Sequence, residues 1–477
     1  MRVCFLRNFI AGLCGIVGLS LIATGGASAT PPNIVFILAD DLGWSDLACY
    51  GADLHETPRL DALAKQGMRF TTAYAASSVC SPSRASLLTG KNPARLRFTI
   101  WREGAEDGDN GKTKMIPAPS IYDLPHTEVT LAKHLQGAGY LTALVGKWHL
   151  GEAGHYPETH GFDVNIGGTH WGAPQTFFWP YSGTGMYGKE FRYVPHLEFG
   201  KPGEYLTDRL TDEAINVIRH HGDKPFFLYL AHHAPHTPIE AKAEDTKHFE
   251  EKLKPEMHHQ NPTYAAMVKC LDENVGRVLD EIKAQGLEKN TIVIFTSDNG
   301  GYIGTDHKAR KKIPVTSNWP LRSGKGALYE GGVRVPLIVR WPGVAQGGQE
   351  CAQPVVLTDL FFTLLGATQV PQQGDAHDGV SLVPLLKNPK AEMKRDTWFF
   401  HYPHYYETTT PVSSVREGDW KLLHYYQDDH VELFHLKDDP YEKSEISSQE
   451  PEKTEHLRKK LDEYLHSVNA ALPSKRS

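Results

Sequence analysis

The chain is expected to fold as an α/β protein: a large mixed, mostly parallel sheet sandwiched by helices, with a smaller C-terminal antiparallel sheet and helix. Three observations predict this. Four uninterrupted apolar runs of strand length end abruptly in polar residues, helical patterns lie between them, and the texture changes beyond Arg340-Trp341-Pro342-Gly343.

The runs are residues 33–39 before Asp40-Asp41, 141–145 before Gly146-Lys147-Trp148-His149, 226–231 before His232-His233-Ala234-Pro235-His236, and 291–296 before Ser297-Asp298-Asn299-Gly300. Apolar runs without alternation suit strands covered on both faces. Thr57 followed by Pro58 opens a helical pattern that carries Leu60, Leu63 and Ala64 and stops at Gly67. Further helical patterns cover 130–135, ending at Gly137, and 207–218; a longer one is marked by Leu271, Val275, Val278, Leu279 and Ile282. Strand and helix alternate, which makes the main sheet largely parallel. Later, Arg416-Glu417-Gly418-Asp419 is a turn signal between two strand-like pieces of 412–426, residues 432–436 form another short strand pattern, and 451–468 an amphipathic helix. The expected division is a leader at 1–29, a main domain at 30–394 and a C-terminal part at 395–477.

Arg2 and Arg7, an apolar run over 9–23 and Ala27-Ser28-Ala29 read as a secretory signal cut after Ala29, so an exported protein, periplasmic or secreted, is expected. No later stretch is long and apolar enough for a membrane span, which excludes integral membrane association. Losing the two leader arginines takes the formal net charge from −7 to −9, which argues against nucleic acid or anionic membrane as a general partner. Cys4 and Cys14 leave with the leader. Cys49, Cys80, Cys270 and Cys351 are too sparse for a disulfide scaffold and permit a bridge or two at most.

In a parallel α/β sheet the site lies beyond the carboxyl ends of the strands. All four runs deliver Asp, Asn, Lys or His there, which argues for one convergent site. Asp40, Asp41, Asp298 and Asn299 form an all-oxygen set whose carboxylates repel unless a cation neutralises them; hard donors of this kind favour calcium or magnesium over zinc. Alone, Asp40-Asp41 reads equally well as a capped turn. In the stretch from Cys80 to Gly90, Pro82 suits a first helical turn and Gly90 a helix end, so Cys80 and Arg84 fall about one turn apart at the electropositive start of a helix. Alone, Cys80 reads as a small buried residue.

Cys80-Ser81-Pro82-Ser83-Arg84 with the following 85–90 resembles the signature of the type I, formylglycine-dependent sulfatases, arylsulfatase-like members of the alkaline phosphatase superfamily. The resemblance runs from about Pro32 to the last helix, through Asp40-Asp41, 146–151, 234–238, 297–300, Gly324-Lys325-Gly326, 331–336 and 416–421, all in the family's order. It implies hydrolysis of a sulfate ester, expected to belong to a polysaccharide or glycosaminoglycan fragment, and oxidation of Cys80 to formylglycine by a formylglycine-generating or other sulfatase-maturing enzyme. One hydroxyl of the hydrated aldehyde would attack sulfur, and loss of a proton from the other would expel sulfate, an exit that serine lacks. The resemblance also implies one calcium ion held by Asp40, Asp41, Asp298, Asn299 and the residue-80 hydrate. Asp298 would take the attacking proton, Arg84 and Lys147 would stabilise the hydrate and the sulfuryl oxygens, His236 with Lys325 would protonate the leaving oxygen, and His149 would take the proton that releases sulfate.

Several residues have two readings. His232, His233 and His236 would also serve as zinc ligands, although Pro235 and Pro238 disfavour a helical ligand face. His220-His221 and His258-His259 read as surface residues. Lys308, Arg310, Lys311 and Lys312 read equally as a subsite for a sulfated chain and as a solvated loop. Trp101-Arg102, His170-Trp171 and Trp319 fit sugar subsites or ordinary packing. Two rival functions share these features: a phosphatase or phosphodiesterase on the same fold, and a pseudoenzyme that only binds sulfated glycans, against which the complete residue set argues.

Overall fold

The computed structural model describes residues 31–309, 312–373 and 377–476, so the leader expected at 1–29 lies outside the described residues. The apolar run Asn33–Ala39 (β1) is buried along its whole length, as a strand covered on both faces must be. It lies inside a sheet of nine strands among the described residues. The others are Met68–Tyr74 (β2), Leu141–Gly146 (β3), Val164–Ile166 (β4), Phe226–Ala231 (β5), Thr291–Ser297 (β6), Arg334–Arg340 (β7), Gln349–Cys351 (β8) and Val355–Val356 (β9). The order is β8-β2-β7-β6-β1-β5-β3-β4, with β9 also on β2. Only β7 runs against its neighbours. All four strands recognised from sequence are adjacent and parallel, with Val35 opposite both Leu228 and Val293, and Gly146 opposite Ala231.

Period two splits β1 between two cores. Ile34, Phe36 and Leu38 face a core that includes Leu87 and Leu88 of helix Cys80–Thr89, Leu131 and Leu135 of helix Leu131–Gly137, and Leu360 and Leu364 of helix Thr358–Thr368. Val35 and Ile37 face Leu60 and Leu63 of helix Pro58–Gln66, Leu210 of helix Leu206–His220, and Leu271 and Val275 of helix Pro262–Ala284. The last helix begins well before its apolar pattern, because Asn261 caps it by accepting from the N–H groups of Thr263 and Tyr264, and Pro262 fills the first turn.

Strands Thr397–Tyr402, Val412–Glu417, Trp420–Tyr425 and His430–His435 form the smaller antiparallel sheet. Helix Pro451–Ser467 covers it with Leu457, Leu461 and Leu465, four residues apart on one face, against Val415, Leu422 and Leu433. Cys49, Cys80, Cys270 and Cys351 are free thiols. Among the described residues no helix is long and apolar enough to cross a membrane.

The two sheets are tied by a buried charge cluster. Lys421 of the small sheet donates to Glu330 Oε1 at 2.9 Å and lies 2.8 Å from Glu442 Oε1, while Glu442 Oε2 accepts the Glu330 N–H at 2.7 Å. Glu330, just before β7, also takes the Tyr74 hydroxyl of β2. Removing Lys421 takes away the cation that Glu330 and Glu442 share in a buried setting, which costs roughly 3–5 kcal/mol. Lys421→Ala is therefore expected to lower the urea-unfolding midpoint by that amount of stability; an unchanged midpoint would show that the cluster does not hold the sheets together.

Candidate active site

The carboxyl ends of β1, β3, β5 and β6 are locked to one another by backbone bonds that continue past the strands. Asp40 N–H donates to Ala234, His232 N–H to Leu38, Lys147 N–H to Ala231 and Asp298 N–H to Ala39. Two local features make this closeness feasible. Gly146 has φ 107°, and a side chain there would lie 2.0 Å from the Ala231 carbonyl. Gly300 sits equally tightly against the Gly331 carbonyl, at 1.9 Å for an added Cβ.

Cys80 is the first residue of helix Cys80–Thr89, which ends at Gly90 in the left-handed region. The helix is buried all round, and Arg84, one turn on from Cys80, reaches the strand ends, while the free N–H groups of the first turn give this end of the helix positive potential. Arg84 donates from Nε to Asp298 Oδ2 at 2.8 Å and from Nη1 to the Lys147 carbonyl at 3.2 Å, and Nη2 lies 3.7 Å from Asp40 Oδ1. Lys147 donates to Asp40 Oδ2 at 2.7 Å. Lys325 donates to Asp41 Oδ2 at 2.8 Å and lies 3.2 Å from His236 Nε2, which is 3.4 Å from the same Asp41 oxygen. Asn299 Nδ2 donates to Asp41 Oδ1 at 2.8 Å, and the Asp41 N–H to Asp298 Oδ1 at 3.2 Å. Cys80 Sγ lies 3.4 Å from His149 Nδ1. Thus Asp40, Asp41, Arg84, Lys147, His236, Asp298, Asn299 and Lys325 form one connected cluster, and the Cys80–His149 pair shares a cavity with its Asp41, His236 and Lys325.

Burial without water penalises every charge here, and the neighbours decide the outcome. Burial would raise Asp41, but Lys325, His236 and Lys147 hold it well below the usual carboxylate range. Burial raises Asp298, with Asp40 and Asp41 adding repulsion that Arg84 only partly offsets. Burial likewise favours a neutral Cys80 thiol, yet Lys147, His149 and Lys325 bring it below its ordinary value. Burial, then the charges of Lys325 and Lys147, push His236 down to about 3 despite Asp41.

The cluster fits a hard cation. Asp40 Oδ1 and Asn299 Oδ1 are buried oxygens with no hydrogen-bond donor among the described residues, and buried acceptors of this kind call for a partner. Ligand atoms of Asp40, Asp41 and His236 lie within 4.8 Å of one another. His232 and His233 do not join that group; both rings are buried with no hydrogen bond, so the three-histidine zinc arrangement is not formed.

A cavity of about 450 Å³ opens onto Asp41, Cys80, His149, His236 and Lys325. Its outer wall includes Trp101, Tyr187, Arg192 and Lys308. Of the basic stretch, Lys308 reaches the cavity but pairs with Glu240, Lys312 is exposed, and Arg310 and Lys311 lie outside the described residues. Arg102 is buried, 2.9 Å from Glu106 and 2.8 Å from Glu152, while Trp319 stacks on His258 at 3.7 Å; neither lines the cavity. His170 and Trp171, in ring contact with each other, do not line it either, although the next residue, Gly172, does. His259, read from sequence as a surface residue, is instead buried, because Asp46 and Asp53, distant in sequence, meet its two ring nitrogens and Asp53 also accepts the N–H groups of residues 258 and 259.

Sequence reasoning missed Glu103, Tyr187 and Arg192. Glu103 Oε2 lies 2.6 Å from His149 Nε2, and its Oε1 accepts the Gly172 N–H at 3.0 Å. Burial would raise the Glu103 carboxyl, but His149 and that N–H hold it well below the usual range. Tyr187 and Arg192, 4.5 Å apart as a cation–π pair, come from the hairpin Gly183–Gly185 and Gly188–Arg192. These contacts join residues far apart in sequence, and only Trp101-Arg102 pointed toward that wall.

Comparison with known proteins agrees with this geometry. N-acetylgalactosamine-6-sulfatase of Homo sapiens is 33% identical over 477 residues, covering 91% of this chain and 85% of that protein. A protein named sulfatase from Formosa agariphila is 32% identical, over 88% of this chain and 85% of its own. The crystal structure of Ps i-CgsB superposes with a TM-score of 0.77 at 29% identity, over 91% of this chain and 93% of that one. The family model for the C-terminal region of N-sulphoglucosamine sulphohydrolase matches residues 323–471. With the model described as Sulfatase matching residues 32–370, which hold the whole cluster and every strand of the large sheet, the chain belongs to the sulfatase family.

Proposed function

We propose that the protein releases inorganic sulfate from a sulfated carbohydrate, a polysaccharide or glycosaminoglycan fragment, using formylglycine made from Cys80 and one calcium ion. The observation that carries this reading is the position of Cys80, at a helix N-terminus, 3.4 Å from His149 and on the same cavity as Asp41, whose cluster includes two buried oxygens, Asp40 Oδ1 and Asn299 Oδ1, with no hydrogen-bond donor among the described residues. Relatives support the carbohydrate: one acts on N-acetylgalactosamine 6-sulfate by name, and Ps i-CgsB has also been solved with k-i-k-neocarrahexaose.

Asp40, Asp41, Asp298 and Asn299 would hold the calcium ion beside residue 80. Formylglycine supplies a hydrated aldehyde as nucleophile, and calcium supplies positive charge for sulfate oxygens. The chain's own groups do the rest. The helix N-terminus and Arg84 meet the anionic ester, and Lys147 and Lys325 add donors at fixed positions. Asp298, raised by burial, is suited to take a proton. His236, beside Lys325, faces the cavity where a leaving oxygen would sit, and His149 Nδ1 faces residue 80 as acceptor of the second proton. Trp101 and Tyr187 line the cavity where the body of a sugar would sit, and Lys308 is the one described member of the basic stretch that reaches the cavity. The protein would be exported, matured by a formylglycine-generating or other sulfatase-maturing enzyme, and would act in the periplasm or outside the cell.

Expressed with that machinery, active protein should carry formylglycine at position 80 by peptide mass spectrometry; an active preparation holding only thiol there would refute the reading. Cys80→Ser should lose turnover by on the order of 10³-fold or more, because a serine ester has no second hydroxyl to expel sulfate. Exhaustive chelation should abolish sulfate release and calcium should restore it, whereas full activity in metal-free protein would remove calcium from the account. Asp298→Asn should be worse than Asn299→Ala in kcat, since it removes both a donor oxygen and a proton acceptor.

A further inference from the structure

Glu103 has contacts that the proposed roles do not use. A carboxylate can only accept, so with Glu103 Oε2 2.6 Å away, His149 Nε2 carries a proton. In the neutral ring the lone pair then sits on Nδ1, the atom 3.4 Å from Cys80 Sγ. The ring is also unable to turn over freely. A Cβ placed on Gly172 would lie 2.4 Å from His149 Cε1 and 2.7 Å from Nε2, so the backbone there packs closely against the imidazole. The main chain of residue 149 is pinned on both sides: its N–H donates to Thr169 at 2.9 Å and its carbonyl accepts the Ser81 hydroxyl at 2.9 Å. Glu103 is held in turn, by the Gly172 N–H at 3.0 Å and by Arg192 Nη2 at 3.7 Å.

We propose that Glu103 is a positioning residue, which fixes His149 as the Nε2–H tautomer with Nδ1 turned to the side chain of residue 80 as a proton acceptor. The inference rests on the reading of His149 as the group that takes the second proton. In matured enzyme, transfer of that proton to Nδ1 would break the O–H bond of the hydrated residue 80 and form an N–H bond. The freed electron pair would become the C=O bond as the C–O bond to sulfate breaks and sulfate leaves with its electrons, and the ring would become a cation. That cation already donates to a carboxylate, so its charge is stabilised with no movement, and Glu103 itself takes no proton. The same Gly172 N–H and Arg192 that hold Glu103 keep its oxygen from following the proton.

The test begins in protein that still carries Cys80, with isotope-labelled histidine and NMR of the imidazole nitrogens. His149 should show a protonated Nε2 and a bare Nδ1; Glu103→Gln, which still offers an accepting oxygen, should keep that pattern, and Glu103→Ala should lose it. In matured enzyme, Glu103→Ala should lower kcat by on the order of 10²-fold with little change in KM, and Glu103→Gln should recover about tenfold of the loss. In a His149→Ala background, Glu103→Ala should cost nothing further, because the two act as one unit. An unchanged nitrogen pattern in Glu103→Ala, or an equal loss with and without His149, overturns the inference while leaving His149's own role intact. Full turnover by His149→Ala would instead sink the reading on which it stands. If Glu103→Ala does not fold, the glutamine variant decides: a changed tautomer there is sufficient to reject the proposal.

Discussion

Burial of charge is the constraint on which the rest of the molecule depends. Asp40, Asp41 and Asp298 are all shielded from water and lie at the ends of two adjacent strands. Carboxylates so placed are tolerated only where each meets a donor in fixed geometry. Arg84, Lys147 and Lys325 supply those donors, one from a helix, one from a strand end and one from a loop. Each must arrive from a different part of the chain. The large sheet brings β1, β3, β5 and β6 into register, and helix Cys80–Thr89 carries Cys80 and Arg84 to their ends.

Such pairing leaves the three aspartates and three bases balanced, so a divalent cation held by the unpartnered oxygens would make the site cationic. A sulfate ester is the sort of monoanion that a site of that charge takes up, and the helix N-terminus adds to the same field. The apolar and aromatic outer wall suits the body of a sugar better than a second strongly charged group, because its cations Arg192 and Lys308 already lie against Glu103 and Glu240.

Much of this was legible in sequence. Strands buried on both faces announce themselves as unbroken apolar runs, and their polar endings marked the site. The Asx and proline signals at Asn261 and Pro262 were present too, though the apolar pattern alone placed that helix's start too late. Other parts left little trace. Met68–Tyr74 alternates in burial and Arg334–Arg340 contains Pro336 and terminal arginines, so neither reads as a plain apolar strand. Glu103 lies 46 residues from His149 in sequence, and its role depends on a hydrogen bond that no spacing encodes. His259 was misread because the polar residues flanking it in sequence are a poor guide to burial when its ring is partnered by a carboxylate, Asp53, from a distant part of the chain.

The central claim, that this buried cluster is built to cleave sulfate esters, meets its most direct test in matched substrates. Matured, calcium-loaded protein would be given a panel of monosulfated sugars and the same sugars carrying phosphate at the same positions, with release of each anion followed over time. The account predicts that at least one sulfated sugar is turned over and that its sulfate is released much faster than phosphate from the matched ester. Faster phosphate release, or no sulfate release from any member of the panel by protein shown to carry formylglycine at position 80, would contradict it.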